Sequence, residues 1–216
     1  MAGKNNFDSF IVSACNRQAY AACMQIATAA DSGITVLYGP SSCGKSHLLG
    51  ALAEKYSENF PEKKVLETTP EAIFDGYLKA LKEGTYLDYG KQICSYDLLI
   101  VDNAQFLAGK TATQEEMANW LCQMYGAGKT VVMAMDCPPA CCETMLEKIS
   151  SRCFDGWRIV KLLAPDRQLR AEYVKRLCRE YSISLSIRAT DHLIFSRNIP
   201  FGAIRGELMK LRLLQE

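Results

Sequence analysis

The feature that most limits this chain is an eight-residue run, Gly39-Pro40-Ser41-Ser42-Cys43-Gly44-Lys45-Ser46. It fits the pattern G-x-x-x-x-G-K-S/T, in which glycines let successive backbone N–H groups turn inward on phosphate oxygens. Such a loop works between a strand and a helix, because the N-terminal end of the helix dipole must face the anion. The flanks agree: Ile34 to Tyr38 reads as a buried strand and Lys45 to about Tyr56 as a helix. Lys45 is the expected partner of β- and γ-phosphates, and Ser46 the expected hydroxyl ligand of Mg²⁺. His47 follows directly and belongs to the same candidate nucleotide site.

The rest of the chain alternates short β-branched runs with amphipathic runs of helix length, the mark of a parallel α/β sheet covered on both faces. Val65–Thr68, Leu98–Val101 and Thr130–Met135 are predicted strands, with Trp157–Leu162 as a fifth. Asn16 is a predicted cap for a helix ending near Ala29. Thr69-Pro70-Glu71 opens another helix, which Gly84 stops. Thr113-x-x-Glu116 has the form of a capping box opening a helix to about Tyr125. After Ala164-Pro165-Asp166 the pattern becomes helical throughout: Asp166–Tyr181, Thr190–Arg197 and Gly202–Leu214. The expected organisation is an α/β nucleotide-binding domain over residues 1–164 and a small helical domain over 165–216.

Two strand ends carry candidate chemistry. Leu98-Leu99-Ile100-Val101-Asp102 is an apolar strand ending in a carboxylate, placed to share a Mg²⁺ with Ser46. Asn103 stands where many such ATPases carry an acid that polarises the attacking water. Asn can orient a water but cannot take its proton, so nucleotide binding with slow hydrolysis is expected. Asp136 ends the strand Val131–Met135. It either orients water or the γ-phosphate, or only opens the turn before Cys137-Pro138-Pro139.

Composition sets outer limits. With 216 residues, 49% of them hydrophobic and 23% charged, the chain can bury a core. A formal net charge of +1 means that any nucleic-acid contact must come from a local patch. The N-terminus MAGKNNFDSF lacks the apolar region of an export signal, and no run is long enough to span a membrane. The ten cysteines are therefore read as reduced thiols of a cytoplasmic protein. Cys137, Cys141 and Cys142 lack the paired C-x-x-C spacing of a zinc site. Cys43, inside the phosphate loop, is read as a small filler rather than a redox sensor.

Taken in order, these residues resemble the AAA+ ATPase domain of the bacterial DnaA initiator family. Phe7-Asp8-Ser9-Phe10-Ile11-Val12 with Asn16 to Ala22 is similar to the family's N-terminal segment. The phosphate loop followed by His47-Leu48-Leu49 resembles its Walker A region. Asp97 to Lys110, continued by Thr113-Gln114-Glu115-Glu116, resembles its Walker B stretch. Asp136-Cys137-Pro138-Pro139 resembles sensor 1, Ser150-Ser151-Arg152-Cys153-Phe154 the arginine-finger segment, and Ala203 to Leu208 the sensor 2 helix.

The resemblance implies a P-loop AAA+ fold: a five-stranded parallel sheet with helices on both faces, a helical lid, and ATP or ADP with Mg²⁺ between them. It implies that Arg205 reaches the phosphates from the lid. It also implies that Arg152 points into a neighbouring subunit's site, across a head-to-tail interface. The region Glu71 to Gly90 resembles paired helices that engage single-stranded DNA, and Lys110 and Thr113 match a DNA-contacting loop. Ala112 departs from the basic residue usual there, and Glu71, Asp75, Glu83 and Asp88 oppose phosphate binding, so any single-strand affinity is expected to be weak. The initiator's helix-turn-helix domain has no counterpart before Glu216, as expected of an excised domain or a short paralogue.

The leading functional reading is an ATP/ADP-controlled assembly switch in replication initiation. A regulatory adaptor of the Hda kind, lending its finger to a full-length initiator, is the alternative, followed by a helicase loader. A small-molecule kinase ranks last.

Overall fold

The computed structural model describes residues 5–153, 157–196 and 199–213. Its centre is a five-stranded parallel sheet of β1 (Gly33–Tyr38), β2 (Val65–Thr68), β3 (Leu98–Val101), β4 (Thr130–Met135) and β5 (Trp157–Lys161), in the spatial order β2-β3-β4-β1-β5. Successive strand residues face opposite sides. Leu99, Val101, Val131 and Met133 enter one core; Leu98, Ile100, Val132 and Ala134 enter the other. That two-sided burial explains why β3 and β4 read as unbroken apolar runs rather than alternating ones.

Helices α1 (Arg17–Ala29) and α2 (Lys45–Asn59) cover the second face. Helices α3 (Pro70–Glu83), α4 (Tyr86–Ser95), α5 (Thr111–Gly126) and α6 (Glu143–Arg152) cover the first. Thr69 caps α3 as its sequence predicts, accepting from the Ala72 N–H, and Gly84 ends it in the left-handed region at φ 73°. A small helical unit follows: α7 (Arg167–Tyr181), α8 (Ile187–Phe195) and α9 (Ile204–Leu213). Val174, Leu177, Ile183, Leu193, Ile204 and Leu208 form its own core. Arg170 closes it by donating through Nη2 to the carbonyls of Leu193, Ser196 and Ile199 at 2.7, 3.2 and 3.1 Å.

Several boundaries differ from the sequence reading. Thr113 opens no capping box, because α5 has already begun at Thr111 with Lys110 at the cap position. The adjacent Gln114 is buried instead and ties the helix down: Nε2 donates to the Leu107 carbonyl, and Oε1 accepts from the Met145 N–H. Asn16 precedes α1 but makes no side-chain cap. Its amide holds the incoming loop, accepting from Ser13 N–H at 2.8 Å and donating to the Ile11 carbonyl at 2.9 Å. Helix α8 starts three residues before the expected Thr190, because Ser186 caps it through the Ala189 N–H. A 3-10 turn, Phe201–Ala203, precedes α9. Arg197 and Leu214, the predicted ends of the last two helices, lie outside the described residues.

The sheet core should behave as close-packed. Ile100 is fully buried on the interior strand β3. Ile100→Ala should cost about 2–5 kcal/mol of stability, seen as a lower urea midpoint at unchanged slope.

Candidate functional site

Parallel strands end on one side of a sheet, and the order β3-β4-β1 brings three chain exits together. The phosphate loop leaves β1, Asp102 follows β3 and Asp136 follows β4. Gly39 starts the loop with its N–H on the Met135 carbonyl at 3.2 Å. A Cβ there would lie 2.3 Å from the Leu162 carbonyl oxygen, so only glycine lets the backbone pass β5. Ser42 (φ 61°) and Gly44 (φ 101°) turn the chain through left-handed conformations into α2. The first-turn N–H groups of α2, which have no intrahelical partner, therefore begin at this loop.

Lys45 lies at the centre, with 6% of its side chain exposed. Its ammonium donates to the carbonyls of Gly39 and Pro40, each at 2.8 Å, and pairs with Asp136 Oδ1 at 2.6 Å. Ser46 Oγ donates to Asp102 Oδ2 at 2.6 Å, across 56 residues of sequence. Asp102 Oδ1 accepts the Asn103 N–H at 2.8 Å. Asn103 takes a left-handed backbone, φ 58° and ψ 37°, at the head of the 3-10 turn Ala104–Leu107. Gln105, on that turn, bridges Asn103 and Asp136: Nε2 donates to Asn103 Oδ1 at 3.4 Å, and Oε1 accepts the Asp136 N–H at 3.2 Å. Gln105 carries no site signal in the sequence, where it is only the second residue past Asn103. A hydroxyl beside a carboxylate, with a lysine at a helix N-terminus, is a donor set that fits a phosphate ester with a hard divalent cation.

The opposite wall comes from the N-terminal segment and the helical unit. His47 Nε2 lies 2.9 Å from Ser9 Oγ and 3.1 Å from the Asn6 carbonyl oxygen. Its ring meets Phe10 edge-on at 5.2 Å. Tyr173 of α7 and Phe201 pack with ring centres 4.7 Å apart. A Cβ on Gly202 would lie 2.6 Å from Ser42 Oγ, so the turn before α9 approaches the phosphate loop closely. Two chambers result, of about 230 and 400 Å³, sharing Gly44, His47, Tyr173 and Phe201. The larger holds Ser41, Ser42, Lys45, Ser46, Asn103 and Asp136. The smaller reaches Asn5, Ile11, Asn16 and Cys43 and is partly apolar.

The two arginines each bond a residue outside the phosphate loop. Arg205 lines the smaller chamber, where Nε donates to Tyr181 Oη at 2.6 Å and Nη2 lies 3.7 Å from Glu180. The Tyr181 hydrogen bond leads the effects that raise its pKa. Arg152 ends α6 on the exposed surface, with Nη1 donating to Asn119 Oδ1 at 3.4 Å. Cys43 is buried beside Lys45, and burial outweighs that ammonium to push its thiol above the usual value. That suits a filler and not a reactive thiolate.

A family model described as the bacterial DnaA ATPase domain matches residues 1–160. The chain belongs to that family. The replication initiator DnaA of Chloroflexus aurantiacus is 30% identical over 207 residues, covering 95% of this chain and 43% of that protein. The initiator DnaA of Herpetosiphon aurantiacus is 33% identical over 189 residues, covering 87% and 40%. The chain thus spans about two-fifths of the length of these curated DnaA relatives. AMPPCP-bound DnaA from Aquifex aeolicus superposes with a TM-score of 0.84 at 25% identity, covering 98% of this chain and 66% of that one. Domain III of Thermotoga maritima DnaA shares the fold, with a TM-score of 0.85 at 24% identity and coverage of 100% and 90%.

His47 gives the cleft a measurable pH signature. Burial, aided by the Arg176 charge and opposed by the Asn6 carbonyl, lowers its pKa below the ordinary value. The unfolded chain, with a histidine pKa of about 6.5, then binds more protons in the window just below that value. Stability should rise with pH across that window and level off above it. The urea midpoint should fall between about pH 7 and pH 5.5, and His47→Gln should reduce that fall. An equal fall in the variant would contradict the assignment.

Proposed function

We infer that this chain is a DnaA-type, ATP/ADP-controlled assembly switch acting in the initiation of DNA replication or its regulation, able to bind ATP or ADP with Mg²⁺. The observation that carries this is the 2.6 Å contact between Ser46 Oγ and Asp102 beside the buried Lys45. Ser46 and Asp102 would hold the Mg²⁺, which supplies charge neutralisation at the β- and γ-phosphate oxygens. Lys45 and the loop from Gly39 through Ser46 would hold the phosphates. The smaller chamber, walled by His47, Tyr173 and Phe201, suits the base and ribose. A relative of the same family, solved with AMPPCP and single-stranded DNA, matches at 25% identity and a TM-score of 0.83 over 97% of this chain and 65% of that one.

Residues 1–164 act as the nucleotide domain and 165–216 as the lid. Hydrolysis is slow, because Asn103 replaces the acid that would take the water's proton, while Asp136 serves as the polar sensor. Arg205 swings from Tyr181 towards the phosphates, and Arg152 serves the site of an adjoining copy in a head-to-tail assembly. Helices α3 and α4, with Lys110 and Thr113, form a weak single-strand surface, since Ala112 offers no cation. No helix among the described residues is long and apolar enough to cross a membrane.

The adaptor and loader readings are less favoured. The relatives at 30–33% identity are initiators, whereas the DnaC helicase loader matches at 12% identity with a TM-score of 0.58, a likeness of fold alone.

Light scattering and calorimetry test the switch together. The chain should assemble with ATP and not with ADP. Lys45→Ala should lose nucleotide affinity by roughly 10–100-fold, the scale of a charge-assisted contact. Arg152→Ala should bind normally yet fail to assemble. Tight binding with no assembly under either nucleotide would sink the switch reading.

A further inference from the structure

Asn103, Gln105 and the Asp136 backbone form a chain of hydrogen bonds whose direction is fixed. A backbone N–H only donates. The Asp136 N–H donates to Gln105 Oε1 at 3.2 Å, which settles how the Gln105 amide faces. Its Nε2 is thereby turned to Asn103 and donates to Asn103 Oδ1 at 3.4 Å. With Oδ1 engaged, the group of Asn103 left for the cleft is Nδ2, which only donates. Asn103 lines the phosphate chamber together with Lys45, Ser46 and Asp136. Its backbone is also held, by the N–H bond to Asp102 Oδ1 and by a left-handed conformation that Asn and Asp both tolerate.

We propose that Gln105 is a positioning residue that sets Asn103 to donate into the phosphate chamber, so that the site grips a γ-phosphate without activating water. This rests on the nucleotide-switch reading and specifies how the switch is held on. A donor facing the γ-phosphate oxygens favours a triphosphate over ADP, which lacks them. It does not help hydrolysis. In that step the water oxygen bonds to the γ-phosphorus, and the bond from phosphorus to the bridging oxygen breaks. ADP leaves with the electron pair, and the water gives up a proton. An amide N–H cannot receive that proton, so it passes to a γ-phosphate oxygen and the step stays slow.

The test compares the wild-type chain with Q105E, Q105A and N103D. Calorimetry gives the affinities for AMPPCP and ADP, and single-turnover assays give ATP hydrolysis. The carboxylate of Q105E still accepts the Asp136 N–H, but its second oxygen cannot donate. Asn103 must then turn its amide nitrogen towards it and its oxygen to the chamber. The preference for AMPPCP over ADP should fall roughly tenfold, and hydrolysis should rise several-fold. Q105A removes the relay without reversing it, so its preference should fall less and its hydrolysis should not rise. N103D places an acceptor-only carboxylate in the chamber and should move both readouts as Q105E does, and further. It keeps the test open if Q105E does not fold. Equal behaviour of Q105E and Q105A, or an unmoved preference in N103D, would overturn the relay. Failure of the wild-type chain to bind either nucleotide would instead overturn the switch reading beneath it.

Discussion

The buried ammonium of Lys45 is the charge around which the cleft is built. A cation out of water is costly unless it is paired and hydrogen-bonded. Here the two carbonyls of the loop's first residues and the Asp136 carboxylate meet it. Those partners lie just beyond the ends of β1 and β4, which are neighbours in full register from Gly33–Thr130 to Tyr38–Met135. The sheet order therefore decides whether the lysine can be buried at all. Gly39 is the steric condition for it, since any side chain there meets the Leu162 backbone. A triphosphate would offer the same ammonium further anionic partners, and this is what ties ligand binding to the sheet's end.

The helical unit forms one wall of the cleft. It touches the rest of the protein where nucleotide would lie: Gly202 against Ser42, Tyr173 and Phe201 across both chambers, and Arg176 donating to the Ser9 carbonyl. Arg205 is occupied on its own helical unit by Tyr181 and Glu180. Movement of that one side chain would couple the lid to the phosphates, while Arg152 faces outward from the far end of α6.

Much of this was legible in the sequence where the signal is local. The phosphate loop, the strand ending at Asp102 and the strand before Asp136 each combine a short pattern with a chemical residue at its end, and the structure brings Lys45, Ser46, Asp102 and Asp136 together. The capping box at Thr113 failed because a buried Gln114, bonded to Leu107 and Met145, set the helix start through tertiary contacts that no local pattern carries. Asn16 failed similarly, its amide serving the loop rather than the helix. Gln105 was unreadable for the same reason: its partners are two and 31 residues away, and only the sheet order makes the second a neighbour. Arg205 and Arg152 were singled out by resemblance alone, because no local pattern marks either one, and their bonds to Tyr181 and Asn119 are tertiary contacts that the sequence does not show.

Nucleotide binding at this cleft depends most directly on whether Ser46 and Asp102 form one cation site at the phosphate loop. Calorimetric titration of AMPPCP with and without Mg²⁺, on the wild-type chain and Asp102→Asn, tests it. Mg²⁺ should tighten binding to the wild-type chain, and the variant should lose this gain while keeping its Mg²⁺-free affinity. Binding of AMPPCP that ignores Mg²⁺, or an equal gain in the variant, would contradict it.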